Sequence, residues 1–386
     1  MPGSPGAGPA VAPADVILIV DHQLPTPDRD SGSLRLTRMI EQLTALDRQV
    51  LFFPSDGRAE PRYADRLRRQ GVAVLVDQEQ QVRFLRDQGH RIGLALLCRP
   101  QPALRLLGEL RDFARHCTVV YDTVDLHFRR LGGQAALAER DGRTDRFRLR
   151  AQAETVRALE LLLVRESEVT LVVSAEERAH LESLVPGADV RVLSNIHAPV
   201  VAGAAPAEGA RVLFVGHYQH APNADAARWL AREIMPLVRR EVPEAVLDLV
   251  GSSAPEDVTS LAGEGVVVHG WVPDLGPVYA RARVAVAPLR FGAGVKGKVG
   301  EALEHQVPVV GTTLAFEGMG LEHDRHVLVA DTAEDLAAHL VRVLRDDALH
   351  GSLVRRAVPR LRDRFGPEEA RRTLLGLLAE AGRARR

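Results

Sequence analysis

The stretch Ala285–Thr312, AVAPLRFGAGVKGKVGEALEHQVPVVGT, decides how the rest of the chain is read. A short β-run (Val284–Ala287) leads into a glycine-rich turn, a helical pattern follows, and a second β-run (Val307–Gly311) closes the unit. Gly292, Gly294, Gly297 and Gly300 fall in the turn and early helix, where a backbone without Cβ lets a ligand come close. The free N–H groups and peptide dipoles of a helix start favour an anion at that point. Lys296 and Lys298 bring ammonium groups to the same place, and Glu301 follows Lys298 on roughly the same helical face. Of fifty Lys and Arg residues in the chain, these two are the only lysines. Arginine bias that spared two positions by chance is one explanation. The other is that a compact ammonium is wanted there, because Lys and Arg differ in reach and geometry, and phosphate is its natural partner.

Outward from this stretch, the 386 residues call for two domains rather than one core. Acidic and basic residues nearly cancel, at 51 and 50, and aromatics make up only 4%. Both facts disfavour a general nucleic-acid binder, which needs a basic field and stacking platforms. Cys98 and Cys117 are the only cysteines, each in or beside an apolar run, so they read as core thiols and not as a disulfide or zinc framework. Residues 1–14 are Gly/Pro/Ala-rich without a positive n-region, which reads as a disordered lead and not as a signal peptide. No apolar run approaches membrane-spanning length. A cytoplasmic protein is expected, with peripheral attachment to the inner face of a membrane left open.

In the first half, β-runs at Val16–Val20, Val50–Phe53, Val72–Val76, Ile92–Leu97 and Thr118–Tyr121 alternate with helical patterns at Leu34–Leu46, Arg62–Arg69, Gln80–Gln88 and Pro102–Arg115. That rhythm is the signal of a doubly wound parallel α/β sheet. The loop DHQLPTPDRDSGS after the first strand lies at the carboxyl sheet edge, where ligands bind, although its spacing is not GxGxxG. Gly32 within it is either a helix-entry turn or a ligand-facing residue. YDTVDLHFRR places Asp122, Asp125 and His127 at another strand end, as an acid/base or sugar-hydroxyl site or as a helix cap. Arg129–Arg150 reads as a mobile loop or interrupted helix, whose basic excess would meet solvent, an anionic acceptor or a lipid surface. After a helical run at Ala151–Arg165 and a strand at Val169–Val173, Ser174 and Glu177 have the spacing of a capping box.

The segment His197–Ala210 lacks periodicity and reads as the linker. The expected organisation is a lead at 1–14, a first Rossmann-like domain at 15–198, a linker at 199–210, a second Rossmann-like domain at 211–365, and a C-terminal helix at 366–386 packing back on the first domain. In the second half, Arg211–Val215 ends at Gly216, and Val266–His269 ends in GWVPDL. Two such domains face a cleft that holds a nucleotide against one wall and a second substrate against the other.

At this point the chain resembles the glycosyltransferase family 4 group, a bacterial member of GT-B architecture. RVLFVGHYQHAPNADAARWL and VPEAVLDLVG resemble the opening of that family's donor domain. VVVHGWVPDLGPVYARARVAVAPLRFGAGVKGKVGEALEHQVPVVGTTLAFEGM resembles its nucleotide-sugar core, and DHQLPTPDRDSGSLR and VVYDTVDLH resemble acceptor-domain segments. The resemblance implies retaining transfer of a sugar from a nucleoside diphosphate donor, without a metal or separate cofactor, in polysaccharide or other glycan synthesis. It implies that Glu301 takes the ribose hydroxyls, and that Lys298 and Lys296 neutralise the diphosphate. Backbone near Gly292–Val295, including Gly292 and Gly294, would cradle phosphate or sugar oxygens. Gly270, Trp271 and Val272 would lie near the base, Gly216 at the ligand side of its strand, and Gly32 near the phosphates. Asp125 or His127 would contact the transferring sugar or acceptor. Many members carry two glutamates eight positions apart; with Glu301 as the second, Ala293 stands at the first, and the frequent basic pair after the first donor-domain strand is replaced by His217–His220. The acceptor is open among glycan, lipid-linked sugar, protein and small molecule, as is the oligomeric state. Rival readings are an epimerase or phosphorylase of the same fold, and a non-catalytic nucleotide-sugar-binding module.

Overall fold

The structure is a computed structural model that describes residues 16–46, 48–198 and 207–383. The predicted lead at 1–14 and most of the predicted linker lie outside them. The front domain runs β1 (Val16–Asp21), α1 (Ser31–Thr44), β2 (Gln49–Pro54), α2 (Pro61–Arg69), β3 (Val72–Val74), α3 (Gln78–Gln88), β4 (Ile92–Cys98), α4 (Pro100–Phe113) and β5 (Thr118–Asp122). It continues with α5 (His127–Arg140), α6 (Arg146–Glu166), β6 (Val169–Val172), α7 (Ala175–Leu184) and β7 (Val190–Val192). The rear domain runs β8 (Arg211–Val215), α8 (Ala221–Trp229), α9 (Met235–Glu241), β9 (Val246–Val250), α10 (Glu256–Thr259), β10 (Val266–Gly270) and α11 (Gly276–Tyr279). A π-turn at Leu230–Ile234 joins α8 to α9. It closes with β11 (Val284–Ala287), α12 (Gly297–Glu304), β12 (Val309–Gly311), β13 (Leu328–Val329), α13 (Ala333–Arg345), α14 (Asp347–Phe365) and α15 (Pro367–Arg383).

The strands form a seven-stranded sheet ordered β3-β2-β1-β4-β5-β6-β7 and a six-stranded sheet ordered β10-β9-β8-β11-β12-β13. Every described pairing between the named strands is parallel, and inner strands such as β1 are buried along their whole length. That explains their unbroken Val/Ile/Leu runs, since helices cover both faces of such a sheet. Strand order reverses between β1 and β4 in front and between β8 and β11 behind. Crevices at the carboxyl ends of such strands are where ligands bind in open α/β sheets.

Two segments refine the sequence expectation. Arg129–Arg150 is a helical hairpin, α5 followed by α6, because Ala135, Ala138 and Leu149 make a small buried seam. Gly142 turns the chain between the two helices at φ +64°. The other is the end of the rear domain's helical run. Phe365 of α14 belongs to the rear core, whereas Ala370, Leu374, Leu377 and Ala381 of α15 pack in the front core with Met39 and Ile40.

Candidate functional site

The front wall is built at the carboxyl ends of β1, β4 and β5. Buried Asp21 accepts the His22 backbone N–H at 2.6 Å, lies 3.0 Å from His22 Nδ1, and pairs with the Arg99 guanidinium. Burial pushes the Asp21 carboxyl up, but Arg99 and His22 outweigh it and hold it below the usual value. Arg99 and Val124 both have left-handed backbones, φ 67° and 64°. They flank Gly32, where a Cβ would press to 2.9 Å from Arg99 Nη2 and 3.2 Å from Val124 Cγ1. A Cβ at Gly32 would therefore need the Arg99 guanidinium and the Val124 side chain to give way at the mouth of α1.

Asp125 is bonded by Arg130 Nε at 2.7 Å, and His127 Nδ1 lies 3.0 Å from the Asp125 carbonyl. Burial raises Asp125, yet Arg130 and His127 keep it ionised far below the normal range. Burial lowers His127 too, but Asp125 and Glu160 carry it above the ordinary histidine value. Asp122 does not join them. It is fully buried beneath Arg35, with bonds of 2.7 and 3.1 Å. Nor does either aspartate cap α5: the His127 and Phe128 N–H groups go to buried Glu160 on α6, at 3.2 and 2.8 Å.

The rear wall is the loop and first turn of α12. Lys298 Nζ donates to Asn223 Oδ1 at 2.6 Å and stands 4.2 Å from the centre of the Phe214 ring. Burial, then the charge of Lys296, brings its ammonium down to about 7. Lys296, also buried, donates to the Gly294 carbonyl, and burial lowers it as well. Glu301 accepts the Tyr279 hydroxyl at 3.3 Å, and burial together with Glu304 raises it to about 7. Burial and Arg130 push the His220 imidazole down to about 3. Gly216 allows Asn223 to close in, with a Cβ at 3.0 Å from Asn223 Cβ.

Not every glycine of the opening stretch faces a ligand. A Cβ on Gly297 would overlap Ser31 of α1, and one on Gly300 would overlap the His197 ring, so these two let α12 dock on the front domain. Beside them Glu304 accepts from Arg38 at 2.7 Å and from the Ala198 N–H at 2.6 Å, with His197 Nδ1 at 3.2 Å. Burial would raise Glu304, but His197 and Arg38 bring it to about 2. The Gly294 N–H is also taken, by Glu177 of the front domain at 3.0 Å. Glu177 is raised to about 7 by burial and by Asp125. Its carboxylate reaches back to the Val173 N–H, one residue short of the capping-box partner. Trp271 crosses the mouth, its indole N–H on the Asp28 carbonyl at 3.2 Å.

Between the walls lies a cavity of about 370 Å³. Asp125, His127, Lys296, Lys298 and Glu301 line it, together with Gly32, Gly216, Trp271, Val272, Gly292 and Gly294; Gly270 stands just behind, at the end of β10. Arg99, Arg130, Asn223 and Asn195 also line it, and the sequence reading assigned them no role. Only the strand-end position of Arg99 and the Pro-Asn in the first turn of α8 hinted at them.

Residues 209–346 match the family model for glycosyl transferases group 1. An uncharacterised 44.6 kDa protein in the cps region of Klebsiella pneumoniae is 24% identical over 139 residues. The aligned part covers 34% of this chain and spans 36% of that protein's length. Among solved structures, sucrose-phosphate synthase from Thermosynechococcus elongatus superposes with a TM-score of 0.70 at 17% identity, over 95% of this chain and 98% of that one. Anabaena HepE, solved with UDP and glucose, gives 0.67 at 14% identity, over 95% and 99%. Two parallel-sheet domains closing on one cleft, and these likenesses, give the chain the GT-B glycosyltransferase fold, with the glycosyl transferases group 1 match carried by its rear domain.

Proposed function

We propose that this protein is a retaining glycosyltransferase of family 4 that moves a sugar from a nucleoside diphosphate donor to an acceptor hydroxyl. The observation that carries the reading is the convergence of both lysines of the chain, Glu301 and a glycine-rich helix start on the cleft at the strand-order reversal. Breaking the glycosyl–phosphate bond builds negative charge on the departing diphosphate. Lys298 and Lys296, held in a dry setting, stabilise that charge and take the role a divalent cation fills elsewhere. Glu301 takes the ribose hydroxyls. Asp125 is tied to Arg130 and Ala293 replaces a second glutamate, so no carboxylate is assigned as a nucleophile. Departure and attack on one face, assisted by the diphosphate, is the route we favour. The domains closed around the cavity keep water from the donor.

The acceptor lies against the front wall, where His22, Asp28, Asp30 and Arg99 offer partners for sugar hydroxyls; a glycan in polysaccharide synthesis is the class we favour. No helix among the described residues is long and apolar enough to cross a membrane. The test is a binding screen with UDP-, GDP-, dTDP- and ADP-sugars, then mass analysis of products with candidate acceptors. Lys298→Ala is expected to weaken diphosphate binding at least tenfold, and Glu301→Ala to weaken nucleoside binding; unchanged affinity in both removes the assignment. Sugar released to water or phosphate, with no acceptor ever glycosylated, would instead favour a phosphorylase or epimerase.

A further inference from the structure

Glu177 lies apart from the donor contacts, and its carboxylate is spent on backbone. It is 1% exposed and sits in the first turn of α7, where Ser174 Oγ accepts its N–H at 3.1 Å. Its Oε2 accepts the Val173 N–H at 3.3 Å, at the end of β6. Its Oε1 accepts two N–H groups from different domains: Leu126 at 3.3 Å, next to Asp125 and His127, and Gly294 at 3.0 Å, between Ala293 and Lys296. One oxygen thus joins the two loops that face each other across the cleft. Gly294 has φ +69°, and a Cβ there would come to 3.0 Å from Asp125 Cβ, so the loops touch only because the residue is glycine. A second front-domain group holds the next residue: Asn195 Nδ2 donates to the Val295 carbonyl at 3.1 Å. The rear loop has no carboxylate of its own before Glu301, Ala293 being apolar.

We propose that Glu177 is a positioning residue, a clasp through which the front domain gives the rear domain's glycine-rich loop its working shape when the domains close. The amide of Gly294 is then a closure contact and not a phosphate ligand. A bound donor meets a correctly shaped Lys296 only in the closed form. This last consequence rests on the donor reading above; the clasp itself does not.

Hydrogen exchange followed by mass spectrometry on the full chain tests it without a ligand. Glu177→Gln keeps the size of the side chain but puts an NH2 where a lone pair accepted. It is expected to speed exchange in peptides covering 291–298 and 124–130 about tenfold. Ser174→Ala removes the cap of the same helix without touching the loop, and should leave 291–298 unchanged. Equal rates in wild type and Glu177→Gln overturn the clasp, as does equal acceleration by Ser174→Ala, which would make the effect one of helix integrity. In the same assay UDP, GDP, ADP and dTDP should include one that protects 291–298 in the wild type. Its affinity should fall about tenfold in Glu177→Gln, with the matching nucleoside monophosphate unaffected. If none of the four protects the wild type, the donor reading fails, while the ligand-free exchange rates still decide for or against the clasp.

Discussion

Lys298 shows how one half-buried side chain links nucleotide binding to pH. Its ammonium lies over Phe214, bonded to a single amide oxygen, and burial with Lys296 nearby has brought it to about 7. An arriving diphosphate favours the charged form, so binding raises that value and takes up a proton. The sign follows: affinity is full below the free value and falls as pH rises above about 7, by up to about tenfold per unit. Calorimetry above neutrality in buffers of different ionisation enthalpy should show net proton uptake, and Lys298→Met should abolish most of it. Uptake unchanged in that variant would place the proton elsewhere, with Glu301, also near 7, the first alternative. Lys298 and Glu301 were legible from the sequence because they sit three residues apart on one helix. Glu177 and Gly294 were not: 117 residues separate them, and no local pattern records a bond made by two domains meeting. Asp122 misled for the related reason that its partner, Arg35, lies 87 residues away.

At the level of elements, β-runs were readable nearly to the residue, Val284–Ala287 and Arg211–Val215 without change, because buried parallel strands leave uninterrupted apolar runs. The hairpin of α5 and α6 was hidden by its charge. Ala135, Ala138 and Leu149 make its seam, and Phe128, Leu161, Leu163 and Val164 join the front core. That hairpin leaves Phe147 69% exposed at the start of α6, stacked on by Arg146 at 4.5 Å, with Arg148 and Arg150 exposed beside it. An aromatic ring amid basic side chains suits a surface of anionic lipid. The full chain is expected to co-sediment with phosphatidylglycerol vesicles more than with phosphatidylcholine ones. Phe147→Ser should reduce that fraction severalfold, and equal sedimentation with both lipids would discount peripheral contact.

For the molecule as a whole, the two domains do not sit side by side as independent units. α14 finishes the rear core, Gly366 follows, and α15 finishes the front core. Near the cleft, Arg38, His197 and Glu304 fasten α12 to the front domain in the gap that Gly297 and Gly300 leave. The seam between the domains was not legible in the sequence, because the glycines that make it read equally well as ligand glycines until Ser31 and His197 are seen against them.

The scarcity of lysine then acquires a practical meaning. A protease that cuts only after lysine has two bonds available in the whole sequence, after Lys296 and Lys298, and both lie at the walls of the cavity. Nicking of the native protein by such an enzyme should count openings of the molecule, and saturating nucleoside diphosphate should slow it. A rate indifferent to nucleotide would mean that the chain breathes there with its substrate in place.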